Sequence, residues 1–273
     1  MYISTKDQTS LYVKDWGQGQ PVILIHGWPL SADSWDPVAV DLVNAGFRVI
    51  AYDRRGFGRS DQPWDGYNYD TFADDLAAVM KKTGAQDAAL VGFSMGGGEV
   101  ARYMSRHQGK HVVKAALISS VVPFMLKTPN NPEGVDGAVF EDMKKGIGAE
   151  RPKFFADFFK DFYGVTMLSR PVSQAYLDWS TSVAMQASLK ATLECVDAFG
   201  KTDFRDDLPY FKVPTLIIHG NKDVTVPITT SAYQAYQGIA GSKMLEYDGE
   251  PHGVFATQKD RLVSDLLEFL KSA

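Results

Sequence analysis

Short, nearly continuous apolar runs recur along the chain, separated by segments whose apolar residues have helical spacing. A continuous apolar run is typical of a strand that is buried on both faces of a sheet. Leu11–Trp16 differs, because its apolar residues alternate with polar ones as in a half-buried strand. The predicted buried strands are Pro21–Ile25, Arg48–Tyr52, Ala88–Val91, Ala115–Ile118, Thr215–Ile218 and Lys243–Tyr247.

Segments with helical periodicity lie between these strands. Apolar residues spaced for one helix face predict helices over Asp36–Asn44, Tyr69–Lys82 and Gln258–Lys271. Alternation of strand and helix indicates an α/β fold whose central sheet is mostly parallel and is flanked by helices on both sides.

The segment between Val121 and Val213 has a different composition. Proline, glycine and many phenylalanines crowd there, and the periodicity is helical throughout. We predict a helical cap (lid), residues 121–212, inserted over the carboxyl edge of the sheet, where open α/β folds place ligands. Residues 1–120 and 213–273 then form the core, and the alternative is that the insertion simply adds core helices.

Composition and charge restrict the partners and the location. Among 273 residues, charges of both signs are scattered and sum to −5, whereas a nucleic-acid-binding protein presents a basic face to phosphates. The first residues lack a secretory signal, and Ala115–Leu126 is too short for the roughly 20 residues of a membrane span. We expect a cytoplasmic protein that binds neither nucleic acid nor membranes, in which the lone Cys195 is a buried apolar residue.

The most specific motif is Gly92-Phe93-Ser94-Met95-Gly96, which lies between a predicted strand and a predicted helix. This is the G-x-S-x-G pattern in the strand–turn–helix context of a nucleophile elbow. The tight turn requires small residues around Ser94, and the helix that follows favours developing negative charge near its amino end. Ser94 is therefore the predicted nucleophile.

A serine nucleophile needs a base, and the base needs a carboxylate to orient it. Asp223 follows the strand Thr215–Ile218, and His252 follows the strand Lys243–Tyr247. Ser, then Asp, then His is the chain order of the α/β-hydrolase fold, and all three follow strands at the same edge. The sequence therefore predicts a catalytic triad of Ser94, His252 and Asp223.

An oxyanion hole completes this chemistry. The backbone N–H of Trp28, in His26-Gly27-Trp28-Pro29, is placed to join that of Met95 in binding a developing oxyanion. For His26 we favour a structural role, in which its ring orients the loop by hydrogen bonding, over a direct catalytic one.

Other chemical motifs are weak. His107 and His111 have the spacing of metal ligands on a helix, but Gly109 lies between them and no carboxylate or cysteine joins them. Gly56-Phe57-Gly58 lacks the third glycine of a dinucleotide loop. No metal and no cofactor are expected.

The whole chain resembles the α/β-hydrolase superfamily, and within it the cofactor-free bacterial haloperoxidases (perhydrolases) and the related arylesterases. The matching stretches begin directly after the first predicted buried strand and extend into the predicted cap, and the resemblance covers essentially the whole chain. They are His26–Leu30, Asp53-Arg54-Arg55-Gly56-Phe57-Gly58-Arg59-Ser60, Leu90–Gly98 and Asp203-Phe204-Arg205.

This resemblance implies Ser94 as nucleophile, His252 as base and Asp223 as its orienting carboxylate, with Trp28 and Met95 as oxyanion donors. It also implies an acyl pocket. Two motifs depart from the family, since Glu250 stands where these relatives usually have alanine, and Val224–Ile228 replaces an aromatic-containing run. The residues expected to bind the substrate are Trp28, Val121, Phe158, Phe162 and Val224.

The function expected from these features is a serine carboxylesterase or arylesterase that hydrolyses small apolar esters. A perhydrolase side activity is expected as well, because Pro29 fixes the backbone of the oxyanion loop. The alternatives are a hydrolase-like receptor for a small molecule, and a lactonase or carbon–carbon hydrolase of the same fold. The sequence leaves open the physiological ester and whether copies of the chain form a homo-oligomer.

Overall fold

A central sheet of eight strands organises the molecule, which is described here by a computed structural model covering residues 1–272. The strands lie in the order β1-β2-β4-β3-β5-β6-β7-β8. Strands β1 and β2 are antiparallel to their neighbours, and the other six are parallel. The predicted α/β architecture, a mostly parallel central sheet with helices between its strands, is confirmed. The strands are β1 (Tyr2–Ser4), β2 (Ser10–Trp16), β3 (Pro21–Ile25), β4 (Arg48–Tyr52), β5 (Ala88–Phe93), β6 (Val112–Ile118), β7 (Thr215–Gly220) and β8 (Lys243–Tyr247).

Nine α-helices lie within residues 1–272, in addition to short 3₁₀ turns at Ala32–Trp35 and Arg205–Tyr210. The predicted helix from Gln258 begins one residue later, and a preceding four-residue helix was not predicted. The helices are α1 (Asp36–Asn44), α2 (Tyr69–Thr83), α3 (Met95–Arg106), α4 (Gly137–Phe162), α5 (Gln174–Met185), α6 (Leu189–Lys201), α7 (Ala232–Gly238), α8 (Val254–Thr257) and α9 (Lys259–Lys271).

The order of the strands determines where the loops meet. The chain passes from β3 to β4 on one side of β3 and returns to β5 on the other side, so the direction of progression reverses there. Ile25 at the end of β3 is paired with Gly92 near the end of β5. The loops that follow these two strands are therefore neighbours at the switch point where open α/β sheets bind ligands.

Helices α4, α5 and α6 occupy the chain between β6 and β7. Ser173 and Ser188 cap the amino ends of α5 and α6 with their side chains, accepting from Tyr176 and Ala191 N–H respectively. Helix α4 is interrupted at Glu150, whose backbone is not helical, two residues before Pro152.

The division into a core and a cap stays a prediction. Ala273, which the predicted core range includes, lies outside the described residues. Within residues 1–272, no helix has both the length and the apolar composition to span a bilayer.

Candidate active site

Ser94 occupies the single residue between the end of β5 and the start of α3. Its backbone has φ 53° and ψ −119°, a conformation that residues with a side chain rarely adopt. A Cβ on Gly92 would lie 2.5 Å from the carbonyl oxygen of Gly96, and one on Gly96 would lie 2.5 Å from that of Ile25. The turn is therefore tight enough to require glycine on both sides of the serine.

The structure brings Ser94, His252 and Asp223 together at the carboxyl edge of the sheet. His252 Nε2 lies 2.9 Å from Ser94 Oγ, and His252 Nδ1 lies 2.6 Å from Asp223 Oδ2. All three side chains are buried. With its proton on Nδ1, the imidazole donates to the carboxylate and leaves Nε2 free to accept the serine proton.

The Asp223 carboxylate accepts further hydrogen bonds. Its Oδ1 accepts from the Thr225 and Val226 N–H groups at 2.9 and 2.7 Å, and Oδ2 lies 3.1 Å from His219 Nε2. Burial by itself raises the pKa of Asp223, but the charge of His252 and the hydrogen bonds from His219 and His252 outweigh it and lower the pKa to about 2.

His219 was expected to be a structural histidine. Its Nε2 also lies 2.8 Å from the Val226 carbonyl oxygen, so this nitrogen carries the proton and shares it between the two oxygens. Its position four residues before Asp223 at the end of β7 was the available sequence feature, but spacing alone does not indicate which way the ring points.

Two phenylalanines contact the His252 ring. The ring centroids of Phe93 and Phe162 lie 5.0 and 4.7 Å from that of His252. Phe162 was predicted to line the acyl pocket, but it is buried against the imidazole and is absent from the cavity wall. Phe162 lies on the side of α4 that faces His252, so it contacts the catalytic base and not the cavity.

The two predicted oxyanion donors belong to the two loops that meet at Ser94. Trp28 follows β3, and Met95 is the first residue of α3, so its N–H has no acceptor within the helix. Within residues 1–272, neither N–H donates to a protein acceptor. The Trp28 indole is fixed from the other side, because its Nε1 donates to the Thr192 carbonyl at 3.2 Å.

His26 has the structural role that the sequence favoured. Its Nε2 accepts from the Arg54 N–H at 2.9 Å, and Nδ1 donates to the Gly27 carbonyl at 2.9 Å. Burial, together with the Arg54 charge, holds the pKa of His26 well below its usual value. The ring is therefore neutral and cannot serve as a cation at the site.

A cavity of about 720 Å³ opens onto Ser94. Its volume falls in the range of small-molecule sites. Trp28, Val121, Phe158 and Val224 line it as predicted, and Val224 is 69% exposed at the mouth. Helix α4 supplies much of the remaining wall, which could not be predicted because the orientation of that helix was unknown. Apolar wall residues that were not predicted include Val135, Val139, Phe140, Met143, Phe154, Phe199 and Val226.

The rim of this cavity is acidic. Glu150, Asp157 and Asp161 line it, together with one cation, Lys153. Lys153 and Lys160 both pair with Asp157, whereas no ion pair is recorded for Glu150 or Asp161 within residues 1–272. The three carboxylates exceed the two ammonium groups that contact them by one, so the rim keeps an excess of negative charge.

Other candidate chemistry lies elsewhere. His107 Nε2 lies 2.8 Å from Asp74 Oδ1 beyond the end of α3. Among the 272 described residues, no group of three or more His, Cys, Asp or Glu side chains could hold a metal ion. Burial raises the pKa of the Cys195 thiol to about 12, which keeps it protonated and unreactive.

The chain is similar to known proteins over nearly its whole length. A family model described as alpha/beta hydrolase fold matches residues 20–258. The chain is 42% identical to the non-heme chloroperoxidase of Kitasatospora aureofaciens over 98% of each chain. It is 42% identical to the bifunctional esterase/perhydrolase of Acinetobacter calcoaceticus over 99% of each. The crystal structure of bromoperoxidase from Bacillus anthracis superposes with a TM-score of 0.96 at 44% identity, covering 99% of both chains.

The resemblance drawn from the sequence motifs is thereby confirmed. The chain belongs to the α/β-hydrolase family, in the group that contains the non-heme haloperoxidases and the esterase/perhydrolases.

Proposed function

We propose that the protein is a serine carboxylesterase that hydrolyses small apolar esters and has perhydrolase side activity. The observation that carries the proposal is the continuous hydrogen-bonded path from Ser94 through His252 to Asp223, which opens into an apolar cavity. The esterase and perhydrolase names of its relatives support the same activity.

Acylation begins when Ser94 Oγ forms a bond to the ester carbonyl carbon. Its proton passes to His252 Nε2, and the carbonyl π electrons move to the oxygen. The Trp28 and Met95 N–H groups then donate to this oxyanion, while Asp223 stabilises the imidazolium. When the oxyanion collapses, the carbon–oxygen bond to the alcohol breaks, and the alcohol takes the proton from Nε2.

Deacylation repeats these steps with water. His252 removes a proton from water as the water oxygen bonds to the acyl carbon, and the bond to Ser94 Oγ then breaks. The serine recovers its proton from Nε2, and the carboxylic acid leaves. If hydrogen peroxide attacks the acyl-enzyme instead, the same balance of bonds and protons releases a peracid.

The cavity suggests the substrate class. Its apolar wall favours esters with an apolar acyl or aryl group, and its volume exceeds that of a simple acetate ester. In this proposal residues 121–212 act as a cap, since α4 forms one wall of the cavity and the loop after β7 forms the other.

Hydrolysis of p-nitrophenyl acetate tests the esterase proposal. Replacing the nucleophile in Ser94→Ala should lower kcat by about 10³-fold or more, because no acyl-enzyme can form. Ser182→Ala is the matched control, since Ser182 lies on α5 outside the cavity wall and its loss should leave kcat unchanged. A Ser94→Ala enzyme as fast as the wild type would refute the proposal.

The perhydrolase proposal is tested with acetate, hydrogen peroxide and bromide. Peracid formed at Ser94 should brominate monochlorodimedone, and Ser94→Ala should reduce this rate to the background. Bromination that persists in Ser94→Ala would show that the acyl-enzyme is not its source.

A further inference from the structure

A buried ion pair lies directly behind the loop that carries Trp28. Arg54 follows β4 and Glu99 lies on α3, and both side chains are almost inaccessible to solvent, at 1% and 0%. Arg54 Nε donates to Glu99 Oε2 at 2.8 Å, and the Tyr52 hydroxyl donates to the other carboxylate oxygen. Arg54 belongs to the motif Asp53–Ser60, which the ester chemistry described above does not use.

The same arginine holds the residue that precedes Gly27. Arg54 Nη2 donates to the His26 carbonyl oxygen at 2.8 Å, and its backbone N–H donates to His26 Nε2 at 2.9 Å. His26 Nδ1 in turn donates to the Gly27 carbonyl. These bonds fix the orientation of the two peptide units that lead into Trp28.

Glu99 provides the other end of the connection. It lies four residues after Met95, one turn along the helix whose first N–H is the second oxyanion donor. The loop and the elbow are also in close contact, because a Cβ on Gly27 would lie 2.9 Å from Ser94 Cβ. A hydrogen-bonded path therefore joins α3, through Glu99 and Arg54, to the loop of Trp28.

Stability alone does not account for this pair. A buried ion pair is often replaceable by apolar side chains of similar volume without loss of stability. Within residues 1–272, Arg54 Nη1 has no hydrogen-bond partner although it is buried, which adds to the cost of placing a guanidinium here.

We propose that Arg54, anchored by Glu99, is a positioning residue that sets the separation of the Trp28 and Met95 N–H groups. This inference rests on the proposed function. Removing the Arg54 side chain misplaces the two oxyanion donors. Because these donors stabilise the transition state more than the bound substrate, their misplacement lowers kcat and leaves KM nearly unchanged.

The test is the charge-neutral double variant Arg54→Met with Glu99→Gln, which avoids leaving one charge buried alone. Misplacing groups around the transition state by about 1 Å costs about 10²-fold. We expect kcat for p-nitrophenyl acetate, per active serine titrated with diethyl p-nitrophenyl phosphate, to fall about 10- to 100-fold. KM should change by less than about threefold.

A second buried pair in the same motif provides a matched control. Arg55 and Asp75 are 1% and 2% exposed and form a two-point ion pair at 2.6 and 2.7 Å. Arg55 also pairs with the exposed Asp7 at 2.8 Å, but it makes no hydrogen bond to the loop of Trp28. Arg55→Met with Asp75→Asn should change the melting temperature as much as the first double variant does. Its kcat should remain within about threefold of the wild type.

Selective loss of kcat in the Arg54 variant supports the proposal. The proposal is overturned if that variant keeps kcat within threefold, or if both double variants lose kcat equally. Should the double variant not fold, Arg54→Lys decides instead. This variant keeps a positive charge beside Glu99, but one ammonium group cannot replace both Nε and Nη2 of the arginine. We therefore expect kcat to fall while KM stays nearly constant. An unchanged kcat would refute the proposal.

Binding of benzeneboronic acid gives a readout that does not require turnover. Its tetrahedral adduct with Ser94 places an oxygen between the two N–H groups, so its dissociation constant should rise in parallel with the loss of kcat in the Arg54 variants. If the wild type binds benzeneboronic acid tightly but does not hydrolyse esters, the proposed function is refuted, and calorimetry of the variants still tests the positioning role of Arg54. If the variants bind the boronic acid as tightly as the wild type, that positioning role is refuted.

Discussion

The Asp223 carboxylate is unusually well provided with donors for a buried group. Two backbone N–H groups, His219 and His252 all point at it, and its pKa is lowered to about 2. This is below the value of about 3.9 for an unfolded aspartate, so the charged form is favoured by folding. The resulting stabilisation is present above about pH 4 and is lost as the pH falls through 2.

The lowered pKa of Asp223 affects the pH dependence of activity. Above about pH 4 the Asp223 carboxylate stays charged, so its protonation does not contribute to the pH dependence of kcat/KM in that range. Because the mechanism uses a single general base, a plot of log kcat/KM against pH should rise with a slope of one and level off. Circular dichroism over the same range separates titration from unfolding. A slope of two in the folded protein would show that a second group in the site is protonated.

The positions of some site residues could be predicted from the sequence, and those of others could not. Ser94, Asp223 and His252 could be placed because each lies within five residues of the end of a strand, and these strand ends lie at the same edge of the sheet. Phe162 could not, because its contact with His252 depends on the rotation of α4 about its axis. His219 could be located at a strand end, but its shared proton depends on the path of the loop to Val226.

Among the elements, helix α3 begins unusually close to another strand. A Cβ on Gly96 would meet the Ile25 carbonyl oxygen at 2.5 Å and the His26 carbonyl oxygen at 3.0 Å. Neither oxygen can move without disturbing β3 or the loop that follows it. The amino end of the helix is therefore pressed against the backbone of the oxyanion loop.

Gly96→Ala should consequently destabilise the protein by about 1–3 kcal/mol, the usual cost of overpacking, and should lower esterase activity as well. Gly148→Ala is the matched control, because a Cβ at this position on α4 meets no atom of the described residues within 4 Å. There alanine should stabilise the helix by about 0.5–1 kcal/mol. Urea unfolding measures both; equal effects of the two substitutions would contradict this account of the packing.

Long elements could be predicted and short ones could not. The buried strands stand out as continuous apolar runs, whereas β1 has three residues and α8 has four, too few to show a period. Pro152 was a visible cause for a break in α4, yet the conformation of Glu150 depends on how the two halves pack. Local sequence therefore determines the type of element better than its direction.

At the scale of the whole molecule, charge is unevenly placed around the cavity. The chain carries a net charge of −5, and three carboxylates line the rim with Lys153, while Lys160 pairs with one of them, Asp157. Two unit charges about 8 Å apart in water interact by about 0.5 kcal/mol. Glu150 and Asp161, for which no ion pair is recorded within residues 1–272, therefore suffice to discriminate modestly between substrates of different charge.

Glu150→Gln with Asp161→Asn should raise kcat/KM for the anionic ester 4-acetoxybenzoate by about fivefold, as expected from two such interactions. The neutral p-nitrophenyl acetate should be unaffected. Asp142→Asn, on α4 but outside the cavity wall, should change neither value. The gain should shrink in about 0.5 M salt, where charges are screened. Identical ratios for the two esters in wild type and variant would refute the role of the rim.

This acidic rim also bears on inhibition by the product. Hydrolysis turns an uncharged ester into an acid that ionises in neutral water, and the carboxylates at the rim repel that anion. The departing product therefore rebinds somewhat more weakly than an uncharged molecule of the same shape, which reduces product inhibition. In perhydrolysis the carboxylic acid is instead the substrate. Its protonated form is uncharged and is not repelled by the rim, so lowering the pH should favour its binding.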